Sequence, residues 1–190
     1  GEYAMDGIGV YSNPDLTSLG TDSFTDDLDA PISDAMFVAT QYMIKTTAIV
    51  ESIKVMLANG TEVDGEIYGS IIDTTNLIND NPAPLFGTAP SLITQTDIDN
   101  GYITLSFSAP VTLPPGAYYA AAELYSNANS TDIRILDDKT VAQPGNASVI
   151  YLPGFELDAT YGNGTAFGVR MIMEVVGINE VTLDGISVYP

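Results

Sequence analysis

Apolar residues fall at every second position along most of this chain. In "YITLSFSAPV", Ile103, Leu105 and Phe107 share one face, while Thr104, Ser106 and Ser108 take the other. The stretch "IVESIKVMLANG" places Ile53, Val55 and Leu57 opposite Ser52, Lys54 and Met56, and closes on Asn59-Gly60, a strong hairpin-turn dipeptide. "GEIYGSIID" sets Ile67, Gly69 and Ile71 inward. In "AFGVRMIMEVVG", Phe167, Val169, Met171, Met173 and Val175 line up against Gly168, Arg170 and Glu174. A period of two is that of a strand with one buried face, because successive Cβ atoms point to opposite sides of a sheet. "AMFVATQYMIK", "LPPGAYYAAAELYS", "DIRILDD" and "SVIYLPG" add further strands.

The exceptions are short. "TQTDIDNG" reads as one helical turn, with Thr94 or Thr96 as N-cap and Gly101 as its stop. Residues 74–92, rich in proline, read as a long loop. Residues 1–34 offer a short strand candidate at Ile8–Tyr11 and then a polar, acidic stretch. Gly, Pro, Asn and Asp clusters recur roughly every 8–15 residues, and no internal repeat is visible. This spacing predicts an all-β fold: an antiparallel β-sandwich, jelly-roll-like, of about nine or ten strands. It is expected as one domain over residues 1–176, with 1–34 an irregular segment packing on it.

Composition narrows the chemistry. The 190 residues contain no cysteine, histidine or tryptophan. Disulfides, thiolate metal sites and histidine-based nucleophilic catalysis are therefore absent. Twenty-five acidic residues against five basic ones give a formal charge of -20. That field repels nucleic acid and anionic membrane surfaces. No apolar run is long enough to span a bilayer, so no membrane insertion is expected.

Several carboxylate groups invite a role. Asp26, Asp27 and Asp29, with Asp22 and Asp34 nearby, suit the oxygen-rich shell of a structural calcium ion; the alternative is a solvated acidic loop. Asp97 and Asp99 fit helix capping, and Asp137-Asp138 in "LDDK" reads as a turn. A glycoside-hydrolysing pair would come from Glu66, Glu123, Glu156 and Glu174. Exposed tyrosines are the remaining ligand candidates. Tyr119 and Tyr125 share a face with Glu123 between them, and this trio is the expected ligand-binding set. Tyr118 and Tyr119 point to opposite faces, so only one of them is expected in the core.

Two resemblances give these residues a context. The last residues, Ile186, Ser187, Val188, Tyr189 and Pro190, resemble the opening of the C-terminal sorting domain of proteins exported by the type IX secretion system of Bacteroidetes. The Asn-Pro that follows in that family is missing because the sequence stops. Residues 177–190 are thus expected to be a linker and the start of a truncated sorting domain. Over residues 35–176, the order of Tyr42, Ile44, Val50, Ser52, Ile53, Val55, Gly65, Ile67, Ile71, Asp73, Ile103, Leu105, Phe107, Pro110, Val111, Leu113, Gly116, Tyr118 and Tyr119 looks like a jelly-roll module of such secreted proteins. These are core and turn positions, so the likeness carries no functional residues. Asp73-Thr74-Thr75 also resembles the Bacteroidetes O-glycosylation triplet. Together they imply a monomeric, non-catalytic module at the cell surface or outside the cell, for adhesion, display or glycan binding, with a polysaccharide or another surface component as partner. The alternatives are an accessory domain of a secreted hydrolase and a carboxylate-pair glycoside hydrolase.

Overall fold

A strand with one apolar face needs a second apolar face to cover it, and this chain meets that need by crossing its own core repeatedly. The computed structural model describes residues 16–20, 34–127, 130–138, 143–153, 159–162 and 164–174. Among them the strands are β1 (Leu16–Gly20), β2 (Asp34–Ile44), β3 (Ala48–Met56), β4 (Glu66–Asp73), β5 (Phe86–Gly87), β6 (Ser91–Leu92), β7 (Tyr102–Leu113), β8 (Gly116–Tyr125), β9 (Arg134–Asp138), β10 (Ser148–Leu152), β11 (Ala159–Gly162), β12 (Ala166–Phe167) and β13 (Val169–Glu174). Two short helices, α1 (Thr74–Ile78) and α2 (Gln95–Asn100), complete the described set. The fold is an all-β antiparallel sandwich, as the alternation predicts. The described strands number thirteen rather than nine or ten because several are too short to show a period.

One layer is a seven-stranded sheet, ordered β11-β10-β2-β8-β4-β5, with β6 pairing another part of β4. Facing it are β13-β3-β7 and a smaller sheet, β1-β9-β12. The chain steps from β12 to β13 at Gly168, whose N–H donates to Leu136 O while its carbonyl accepts from Met56 N. A Cβ at Gly168 would sit 2.6 Å from Met56 Cβ, so a side chain does not fit there.

Alternating residues of all these sheets build one core. Val38, Ile67, Ile71, Ala120, Ala122 and Leu124 meet Val50, Ile53, Val55, Leu105, Ile135 and Val169. Gly69 lets the layers close, for a Cβ there would lie 3.0 Å from Ile53 Cβ and 3.1 Å from Leu105 Cβ. Two hydroxyls of β2 also span the core: Thr40 Oγ1 donates to Phe167 O at 3.1 Å, and Tyr42 Oη to Val169 O at 2.9 Å.

The seven-stranded sheet carries a second apolar cluster on part of its outer face. It comprises Phe37, Ala39, Ile72, Leu77, Tyr119, Ala121, Val149 and Tyr151. Helix α1 supplies Leu77 as part of the cover. The helix starts there because Asp73, its N-cap, accepts from the N–H groups of Thr75 and Asn76. It is tied down from β11, where Thr160 donates its hydroxyl to Leu77 O and its N–H to Asp80 Oδ1, each at 2.7 Å.

Four expectations need correction. Residues 74–92 are not a plain loop but hold α1 and two short strands that pair with β4. The segment before residue 34 is not wholly irregular, since β1 pairs with β9 along Leu16–Gly20. Asp137 and Asp138 do not form a turn; they lie within β9 and are buried, with Thr165 donating its hydroxyl to Asp137 Oδ2 at 2.9 Å. Tyr118 and Tyr119 are both buried, because β8 is covered on both sides where they lie. By contrast, α2 forms as read, with Thr94 as N-cap in a capping box with Asp97 and Gly101 as the left-handed stop.

Candidate functional site

The second apolar cluster ends partway along β8, and the outer face changes character there. β4 carries Glu66-Ile67-Tyr68 and β8 carries Glu123-Leu124-Tyr125. In each triplet the middle residue enters the core and the flanking pair faces outward. The antiparallel register sets Glu66 beside Tyr125 and Tyr68 beside Glu123. The result is a checkerboard of two glutamates and two tyrosines across neighbouring strands, all four half-buried.

Its internal bonding is repeated. Tyr68 Oη donates to Glu66 Oε1 and Tyr125 Oη to Glu123 Oε1, each at 2.6 Å. The rings contact each other along the diagonal, with centroids 5.3 Å apart and planes tilted by 59°. These are charge-assisted bonds, which run short and strong. Both phenols are raised above the ordinary tyrosine value. For Tyr125, burial is the leading cause, followed by the bond to Glu123. For Tyr68, the bond to Glu66 leads. Each glutamate spends Oε1 on its tyrosine and keeps Oε2 outside that bond.

The surroundings frame the square. Leu92 of β6 pairs with Glu66 and is exposed, giving an apolar border. On the other side Asp34 of β2 lies opposite Tyr125, and its carboxylate accepts from Ser126 N–H at 2.9 Å. The face therefore offers ring surface, carboxylate acceptors and an aliphatic edge. Stacking on a pyranose and accepting from its hydroxyls is the chemistry this set supports.

Of the expected trio, Tyr125 and Glu123 are in this site and Tyr119 is not. Tyr119 has no exposed surface, its hydroxyl donates to Asn146 O, and burial pushes its phenol up to about 12. It is a core residue and offers no face to a ligand. Glu66, considered as half of a hydrolytic pair, does come together with Glu123, whereas Glu156 and the side chain of Glu174 lie outside the described residues. Tyr68 went unnoticed in the sequence. The repeated Glu-x-Tyr, once on each of two paired strands, is the signal that finds it.

Other candidates fall elsewhere. Asp26, Asp27 and Asp29 lie outside the described residues, as do Ile8–Tyr11 and residues 177–190. Among the described residues no three acidic side chains gather as a metal site. A groove of about 360 Å³ runs between Phe86 of β5 and residues 107–112 of β7, and no titratable side chain lines it. No helix among the described residues is long and apolar enough to cross a membrane. Comparison with protein-family models, curated proteins and solved structures finds no match to this chain.

Proposed function

We propose that this chain is a non-catalytic β-sandwich of a larger secreted protein. It serves adhesion, display or glycan binding at the cell surface, and it holds a neutral saccharide on the outer face of β4 and β8. The checkerboard of Glu66, Tyr68, Glu123 and Tyr125 carries this reading. Half-buried rings present a stacking surface at low entropic cost, and carboxylates fixed by the phenols accept sugar hydroxyls without reordering. The C-terminal resemblance supports export to the outer surface by type IX secretion, and the formal charge of -20 suits a soluble module there.

The test is a glycan array followed by calorimetry on the best neutral oligosaccharide. Tyr68→Ala and Tyr125→Ala should each weaken binding by about tenfold or more, while the fold persists by circular dichroism. Unchanged affinity in both variants would remove the face from the proposal.

A second reading rests on Glu66 and Glu123 being diagonal neighbours on one face. In it they act as the hydrolytic pair of a glycoside hydrolase. Release of reducing ends from the bound oligosaccharide, lost in Glu66→Gln, would favour it over simple binding.

A further inference from the structure

Five basic residues among 190 make each cation's position informative. Arg134 pairs with Asp132 at 2.6 Å, as expected where acids outnumber bases five to one. Lys54 and Arg170 behave differently. They are directly opposite each other in the β3–β13 ladder, on the outer face of the three-stranded sheet, away from the glutamate-tyrosine square. Like charges in that position repel, and a sheet normally avoids the arrangement.

Among the described residues no carboxylate reaches either cation within ion-pair distance. The Nε of Arg170 is buried and without a hydrogen-bond partner. Lys54 is instead held over the Tyr102 ring, its Nζ 3.4 Å from the centroid, and its pKa falls, first from burial and then from the Arg170 charge. On the far side of Lys54, Thr104 of β7 continues the row and is exposed. Arg170, Lys54 and Thr104 therefore set a guanidinium, an ammonium and a hydroxyl side by side across three strands.

We propose that this row is a binding site for a single oxyanion, a carboxylate or a sulfate ester carried on a small molecule or a sparsely charged saccharide. An arginine fork and an adjacent ammonium match the two or three oxygens of such a group, and a bound anion cancels the cross-strand repulsion. The net charge of the chain sets the ligand's size: the -20 field opposes any dense polyanion, so the anion arrives singly. This site stands independently of the saccharide face on the other layer.

The test uses the full chain and two readouts. Calorimetry compares galacturonate and galactose 6-sulfate with galactose. Both anionic forms, or one of them, should bind about tenfold or more tightly than the neutral sugar, and Arg170→Gln should abolish the difference. The identity of the preferred anion assigns the source as carboxylate or sulfate. Thermal melting then compares sodium sulfate with sodium chloride at equal ionic strength. Sulfate should raise the Tm of the native chain more than chloride does, and Lys54→Gln should melt no lower than the native chain without sulfate while losing the sulfate gain. The proposal fails if Lys54→Gln and Arg170→Gln keep the anion preference, or if chloride stabilises as well as sulfate. It also fails if heparin binds in preference to the singly charged sugars.

Discussion

Tyr119 and Tyr125 are six residues apart on one face of one strand, and they meet opposite fates. Tyr119 lies in the buried cluster with Leu77 of α1 and opposite Ile72 of β4, with its hydroxyl donating to Asn146 O. Tyr125 stands half-buried beyond the edge of that cover, bonded to Glu123 and touching Tyr68. The strand's period assigns both rings to the same side, but a separate segment decides which of them is core. A sheet's outer face is thus divided by whatever the chain lays across it.

The sharpest way to break the comparison is to truncate each ring. Tyr119→Ala should cost about 3–5 kcal/mol in urea unfolding, the range for emptying a fully buried aromatic site. Tyr125→Ala should cost about 1 kcal/mol, because its ring is half in water already. Equal losses would mean that the two ends of the face are not distinct. Removing the cover is the next test. Leu77→Ala should cost about 2–5 kcal/mol and let Tyr119 ionise at lower pH, read from phenolate absorbance. Asp73→Ala should weaken the first turn of α1 by about 1 kcal/mol and move Tyr119 in the same direction by less.

Alkaline titration sharpens the open end. Tyr68 and Tyr125 both have phenols raised in the folded state, so the stabilisation they give is fully present below the unfolded value of about 10 and is lost as pH rises through the folded values. Stability should decline above about pH 10, and Tyr68→Phe with Tyr125→Phe should flatten that decline. The smallest effect concerns the acidic stretch of residues 22–29. Calcium held by Asp26, Asp27 and Asp29 would make the Tm fall with chelator, and an unchanged Tm would remove that expectation.

Long alternating stretches were legible because two faces of one strand sort by hydropathy. Ile103, Leu105, Val169 and Met171 are buried as their periodicity requires, and Gly69 is inward. Some of the shortest elements were not legible. α1 spans little more than one turn, and β5 and β6 are two residues each, so none of them shows a period. Asp137 and Asp138 misled because paired aspartates favour turns in general, whereas here β1 and β12 flank them in the sheet and bury them. For the site, Glu123 and Tyr125 could be read from one strand alone. Glu66 was a candidate and the repeated Glu-x-Tyr marks Tyr68, but that these two meet Glu123 and Tyr125 is set by the register between β4 and β8, a long-range pairing that no local pattern encodes.

The two hydroxyls of β2 that reach Phe167 and Val169 bridge 127 positions of the chain. A ribosome releases the N-terminal part first, so Thr40 and Tyr42 emerge long before the carbonyls that receive them. Until that C-terminal segment is out, β3 lacks β13 and the nascent chain exposes a strand edge together with two unmet polar groups. Completion of the sandwich therefore waits for β13, and a chain ended before Val169 should stay open to proteases instead of settling into a smaller stable form.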